Sequence, residues 1–408
     1  VAPEAAFACF AAEPYTMFFD RGDFSYLCVS PFHVQNGGTL DDLAAELARH
    51  AAAEAPVPFR GGAAGFIGYE LGASLDRAPR APGGFAGIPD LLFGFYKCVL
   101  AFDHGARRVC LFGGNEAILA RLSRPVHLAA PPLLRWRARV SRETHIARVR
   151  AVLDAIQAGD IYQANIAAVF EAERPAGLDP AALYLALRAK NPAPFGAYID
   201  CGNGCAVLSA SPERFVRMDA RGVIEAQPIK GTRRRGADAA EDAALAAELL
   251  GSAKDRAENL MIVDLLRNDI ARVARDVTVP SLCELQSFAH VHHLVSTVCG
   301  QRRAGLGPVD LLRAAFPGGS ITGAPKLRAM EIIAAQEARA RGPYCGSAAW
   351  IGFDGAMDSN ILIRTLTVAR DRVVAQAGGG IVADSDPAAE WEEVMVKIMP
   401  LLRAVGEL

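Results

Sequence analysis

Three short apolar runs, at residues 195–200, 205–210 and 214–218, follow one another with only a few residues between them. Parallel strands need a crossover of a dozen residues or more, so runs this close must pair antiparallel through tight turns. The first connection, Gly202-Asn203-Gly204, has hairpin chemistry, and the flanking Cys201 and Cys205 are spaced for a turn rather than a metal knuckle. Earlier in the chain, residues 15–20, 24–30, 63–71, 91–103 and 107–112 also read as strands. Helices are inserted among them. Thr39 heads one over 40–53, with Leu43 and Leu47 on one face, and Ser141 heads another in which Ile146, Val149, Leu153 and Ile156 align before Gly159. Asp179-Pro180 opens a third, a strand at 161–170 precedes it, and further helices span 239–250 and the stretch from Ser252 through Arg267. Hairpin-joined strands with helices inserted predict an α+β fold rather than a doubly wound parallel sheet.

At 408 residues, two domains or one large two-layer unit are expected. The segment 124–135 holds Pro125, Pro131 and Pro132 and is the best boundary. The expected division is a β-rich half over 1–123, a linker over 124–140 and a region over 141–408, with the halves packed as one globular unit. Residues 77–89, rich in proline and glycine, read as a surface loop. A net charge of −2 gives no basic surface for nucleic acid, and Arg233-Arg234-Arg235 is short enough to be a solvated loop. Nine cysteines without a CxxC pair suit reduced thiols in a cytoplasm. No apolar run reaches the roughly 18 residues of a membrane span, and no basic-then-apolar leader is seen. A soluble cytoplasmic protein without nucleic-acid or membrane partners is expected.

Several polar residues stand where burial would be costly. Asp386-Pro387 starts a helix on which Glu390, Glu393 and Lys397 share a face; the plain reading is a solvated ion-pair face. Glu258 precedes 260–266, apolar except for Asp264, and a carboxylate at the mouth of a buried helix needs a partner or a metal. Two helices offering carboxylates, with no histidine or cysteine set nearby, suit Mg²⁺. Gly378-Gly379-Gly380, after a strand at 373–376, reads as an anion nest at positive φ or as a plain turn. Arg364 alternates with Ile361 and Ile363 in a strand and faces either a pocket or solvent. The glycine-rich stretch 318–326 lacks the G-K-[ST] ending of a phosphate loop, which excludes that mode of nucleotide binding. His293 reads as a core histidine or a functional one, and Glu213 as a partner of Arg214 or Arg217 or as an acid.

Taken in order, Pro228-Ile229-Lys230-Gly231-Thr232, Glu258-Asn259-Leu260 through Asn268-Asp269, Phe316-Pro317-Gly318-Gly319-Ser320-Ile321-Thr322, Tyr344-Cys345-Gly346-Ser347, Ile363-Arg364-Thr365 and Ala377 through Asp386 resemble the chorismate-utilising enzymes. That family makes anthranilate, aminodeoxychorismate, isochorismate or salicylate. The resemblance runs over 141–401; before that, 61–70 is the clearest family-like piece. It implies a large two-layer α/β sandwich with mainly antiparallel sheets and a site between its halves. It further implies one Mg²⁺ on Glu258 and Glu393, with Glu390 close behind, anchoring a substrate carboxylate. By the same resemblance Tyr344, Arg364, the backbone of Gly378, Gly379 and Gly380, and Lys397 bind the enolpyruvyl and ring carboxylates. The loop with Ser320, where threonine is usual, and Thr322 lies near the ring 4-hydroxyl, as does His293. Glu213 matches the general acid. Ala271 departs from a usual glycine, beyond the expected ligands.

Two positions select a branch within the resemblance. Lys230 stands where the anthranilate branch has alanine, and Gln163 where the water-adding branches have a lysine base. The implication is amination: the Lys230 amine attacks C2 as the 4-hydroxyl leaves, and ammonia adds at C4 and displaces the lysine. The product is 4-amino-4-deoxychorismate, on the way to 4-aminobenzoate and folate. Attack needs a deprotonated amine, so a pKa lowered by burial or cationic neighbours is expected at Lys230. No glutaminase signature occurs in the chain, so a separate glutaminase subunit is expected to supply ammonia. Anthranilate synthesis, water addition and a non-catalytic chorismate-binding subunit are the alternatives.

Overall fold

Ala197–Gly202 and Cys205–Ser209 pair antiparallel, with Asn203 and Gly204 both at positive φ in the turn between them. The third run does not join them. Arg214–Met218 pairs instead with Val223–Ala226 and Met357–Asn360, in a different sheet. Pro212 explains the departure: it has no N–H to extend the ladder, so the chain steps from one sheet to the other there. These observations come from a computed structural model that describes residues 1–50, 57–76, 78–124, 126–288 and 291–408.

Among the described residues the chain forms an 11-stranded sheet, a 10-stranded sheet and a small two-stranded one. All pairings in the two large sheets are antiparallel, between neighbouring strands and between strands far apart in sequence alike. Strand alternation buries both faces of each. Met17 and Phe19 point between the sheets, with Phe66 and Trp350 facing them from the other side, while Phe18 points outward to the helices. Leu40–Leu47, Ala253–Ala271 and Pro308–Ala315 cover the outer face of the 10-stranded sheet. Pro3–Phe10, Pro180–Lys190 and Pro387–Val405 cover that of the other. The fold is α+β, a two-layer sandwich in which each layer is a sheet with its own helical coat.

Strands from the first 123 residues complete both sheets: Met17–Arg21 pairs with Ala197–Gly202, and Gly62–Ile67 with Ser347–Gly352. Within 124–140, Leu134, Trp136 and Val140 are buried in the core, so this stretch is anchored by side chains. Its Pro125 lies outside the described residues, as do residue 77 of the expected surface loop and the end of the helix expected to reach residue 53. That helix is Leu40–Leu47, with Thr39 as its N-cap. In Arg142–Gln157 the fully buried positions are His145, Val149 and Val152 rather than the stripe through Ile146 and Ile156. The shift follows from two neighbours: the helix packs on the strand Gln163–Glu173 and also against Pro387–Val405, where His145 lies 5.5 Å from Trp391.

A second crossing between sheets lies beside the first. After Met357–Asn360 the chain passes through Ile361, Leu362, Ile363 and Arg364 to Thr365–Val368 of the other sheet. The two crossings are tied together, with Ile361 N donating to Glu213 O at 3.1 Å, Ser211 Oγ to Ile361 O at 2.6 Å and Ala210 N to Arg364 O at 3.0 Å. Among the described residues no helix is long and apolar enough to cross a membrane.

Candidate active site

Where these crossings part the sheets, a cleft of about 730 Å³ opens between the strands and the helices Ala253–Ala271 and Pro387–Val405. Glu213, Lys230, His293, Ser320, Tyr344 and Arg364 line it. So do Glu258, Glu390, Glu393, Lys397 and the backbone of Gly378 and Gly380. Residues from Glu213 to Lys397, far apart in sequence, therefore converge. Gln163 and Thr322 are fully buried behind the lining, and Gly379 lies beneath Glu390.

Glu213 sits on the first crossing. The arginines suggested as its partners are engaged elsewhere: Arg214 pairs with Asp358 at 3.1 Å and Arg217 with Glu225 at 3.1 Å. Its carboxylate accepts a 3.4 Å hydrogen bond from Ser320 Oγ. Burial pushes its pKa up to about 7, against the downward pull of Lys230, the Ser320 hydroxyl and Lys397. Its carboxyl is thus still partly protonated near neutral pH.

Lys230 lies in Ile229–Arg234, where the pairing with Val291–Arg302 slips between Ile229 and Thr232 and Gly231 takes φ 82°. Such a bulge re-aims a side chain out of the ladder, here into the cleft. Among the described residues the Lys230 ammonium has no hydrogen bond or ion pair. The charge on Lys230 acts on Glu213 and on Glu258. In Val291–Arg302 the two histidines take opposite faces. His292 is buried against Ser287 and Asp242, whereas His293 reaches the cleft with Nδ1 2.9 Å from Thr232 Oγ1. Burial lowers the His293 pKa.

The acids come from two helices, as expected. Ser252 caps the helix of Glu258, and Asp386 that of Glu390 and Glu393. Burial raises the Glu258 pKa, opposed by Lys230 and Lys254. It also raises that of Glu390, whose Oε1 accepts from Ser385 Oγ at 2.6 Å while Oε2 is buried with no hydrogen-bond partner among the described residues. Glu393 is paired with Lys397 Nζ at 2.6 Å, and that ammonium also donates to Gly378 O at 3.0 Å. Among the described residues no three acid, histidine or cysteine side chains stand gathered as a ready cage. Yet every donor is oxygen, and the orphaned Glu390 Oε2 suits a hard divalent cation.

Two expectations need correction. Gly378, Gly379 and Gly380 are not a nest or a turn: they lie inside the strand Arg372–Ile381, paired with Ala167, Ile166 and Asn165, and none has positive φ. Close approach is what requires glycine there. A Cβ on Gly379 would stand 2.7 Å from Glu390 Oε2, and one on Gly380 would stand 3.0 Å from Gln163 Nε2. Arg364 is not on a strand either; it ends the second crossing at φ 52°. Its guanidinium is half-buried with no hydrogen bond or ion pair among the described residues, and burial lowers its pKa. An unpaired guanidinium aimed into a cleft is a receptor for an anion. Tyr344 forms the wall nearby, its ring 5.8 Å from the Arg341 guanidinium.

The sequence reading missed Asn165, Lys254, Asp255 and Gln376, all of which line the cleft. Gln376 had a signal, since it interrupts the apolar run of its strand. Arg341, 1% exposed, had none: it donates to Glu337, to Asn165 O at 2.8 Å and to Ile321 O at 3.0 Å, bracing the wall from behind. The glycine-rich loop before it is held by Lys326, which pairs with Asp269 at 2.8 Å and so turns away from the cleft.

Comparison with known proteins gives the chain's relatives. The model of a family described as chorismate binding enzyme matches residues 33–403. Aminodeoxychorismate synthase component 1 of Klebsiella aerogenes is 46% identical over 353 residues, covering 85% of this chain and 77% of that protein. Anthranilate synthase component 1 of Thermus thermophilus is 42% identical over 364 residues, covering 85% and 78%. The crystal structure of anthranilate synthase component I from Streptococcus pneumoniae has a TM-score of 0.83 at 30% identity, covering 94% of this chain and 92% of that one.

Proposed function

The chain belongs to the chorismate binding enzyme family, and we propose that within it this member aminates chorismate at C4 while keeping the enolpyruvyl group. The observation that carries the reading is Lys230, an unpaired amine in the cleft that also holds Glu213 and the glutamates. Chorismate carries two carboxylates. Arg364 receives one of them, beside Tyr344, and Lys397 lies within reach of the other. Glu258, Glu390 and Glu393 are the residues that would hold Mg²⁺, which supplies Lewis acidity toward a substrate carboxylate when bound.

In the first step Lys230, having passed its ammonium proton to solvent, bonds through the free amine to C2, both double bonds of the ring diene shift, and the C4–O bond breaks. Glu213 gives its proton to the departing hydroxyl, which leaves as water, with Ser320 and His293 orienting that oxygen. In the second step ammonia bonds to C4, both double bonds shift back, and the C2–N bond breaks to return the Lys230 amine. A proton from the new ammonium restores Glu213. The sum is chorismate plus ammonia giving 4-amino-4-deoxychorismate plus water. Gln163 supports this over water addition, because a buried amide is no base. The ammonia source proposed is a separate glutaminase subunit, in keeping with the name component 1 of the relatives.

Anthranilate synthesis is the second reading, favoured by the 42% identity to the Thermus protein. One assay separates the two. With chorismate, an ammonium salt and Mg²⁺, amination at C4 yields a product that keeps the pyruvyl group, and lactate dehydrogenase coupling detects no pyruvate. Pyruvate release would establish the second reading. Lys230→Ala should abolish turnover, and intact-mass measurement of a slow variant should catch the adduct on Lys230.

A further inference from the structure

We propose that Lys397 couples cation binding to substrate binding by exchanging partners: it holds Glu393 until a divalent cation takes that carboxylate, then passes to a substrate carboxylate. The inference rests on the reading that Glu258, Glu390 and Glu393 hold a cation.

The geometry points to it in three ways. Lys397 Nζ lies 2.6 Å from Glu393 Oε1, so any cation that takes this oxygen must displace or share the ammonium. The same ammonium donates to Gly378 O at 3.0 Å, which fixes it over the cleft floor rather than in solvent. An ammonium has three donors, so one stays available for an incoming anion. The pair is also open to exchange: the side chains are 38% and 50% exposed, and part-exposed ion pairs are weak.

The electrostatics then fix the sign. A divalent cation held by Glu393 and by Glu390, whose Oε2 has no hydrogen-bond partner among the described residues, would stand beside a like charge. Bound alone, it works against Lys397. A substrate carboxylate gives the lysine a new counter-charge and lifts that opposition, so cation and substrate strengthen each other. By linkage the effect is the same in both directions.

The test titrates Mn²⁺ into the protein by calorimetry in ammonium-free buffer, with and without chorismate. Lys397→Met is expected to bind Mn²⁺ roughly threefold to tenfold more tightly than wild type when chorismate is absent. The gain in Mn²⁺ affinity that chorismate gives wild type should shrink in the variant to the part that direct contact of the cation with a substrate carboxylate supplies. Lys397→Gln serves as a second probe should the first lose its fold by circular dichroism. Unchanged or weaker Mn²⁺ binding in the folded lysine variants, or an undiminished effect of chorismate, overturns the proposal. Glu390→Gln tests the underlying reading separately. If Glu390→Gln binds Mn²⁺ like wild type, the glutamate site is wrong; if it loses Mn²⁺ while Lys397→Met is unchanged, only the coupling fails.

Discussion

Glu213 and Lys230 lie 17 positions apart in sequence and meet in one cleft, the carboxyl and the amine on which the proposed amination rests. The Glu213 pKa rises from the usual 4.5 to about 7 because the carboxylate is poorly solvated. Its acid form is lost as pH rises through about 7, so turnover should fall along that limb. Glu213→Gln should lower kcat by roughly 10²–10⁴-fold, the range for removing a positioned acid, and abolish the limb. The same shift has a stability sign. A folded-state pKa above the unfolded value means stability that is full below pH 4.5 and lost as pH rises through about 7. Melting temperatures measured across that window should decline less in Glu213→Gln than in wild type. Both residues were legible from their short motifs. Arg341 was not, because a fully buried arginine leaves no local pattern: its partners Glu337, Asn165 and Ile321 come from other elements.

At the scale of elements, local rules held wherever a cap or a turn residue decides the backbone. Ser141, Asp179, Ser252 and Asp386 each cap the helix that follows, and hairpin chemistry at Asn203-Gly204 gave the expected turn. They failed where a neighbouring element decides. The three glycines read locally as a turn, but pairing with Gln163–Glu173 draws them into a strand, and the missing side chain of Gly379 makes room for the glutamates. Gly379→Ala tests this. Its backbone is not in the left-handed region, so the strand should persist by circular dichroism, while the added Cβ, 2.7 Å from Glu390 Oε2, pushes that carboxylate away. Mn²⁺ affinity should drop about tenfold or more, the scale of disturbing a ligand's immediate support. An unchanged Mn²⁺ isotherm would show that the close approach has no bearing on the cation.

Across the whole molecule, the cleft exists because two sheets pack face to face and then part at the crossings beside Pro212 and Arg364. Phe66, fully buried between the sheets, reports on that packing. Phe66→Ala should cost about 3–5 kcal/mol, the range for emptying an aromatic core position, measured by denaturant unfolding. Sequence alone determined the α+β class, since hairpin spacings forbid parallel crossovers, and it picked out most of the polar residues that line the cleft, since their types and order are local text. Which sheet each strand joins, that Glu213 and Arg364 ride on crossings, and that Lys397 grips Glu393 were decided only by tertiary structure. Period-two burial looks the same for a strand in either sheet, so the choice between them rests on long-range packing that no stretch of sequence carries.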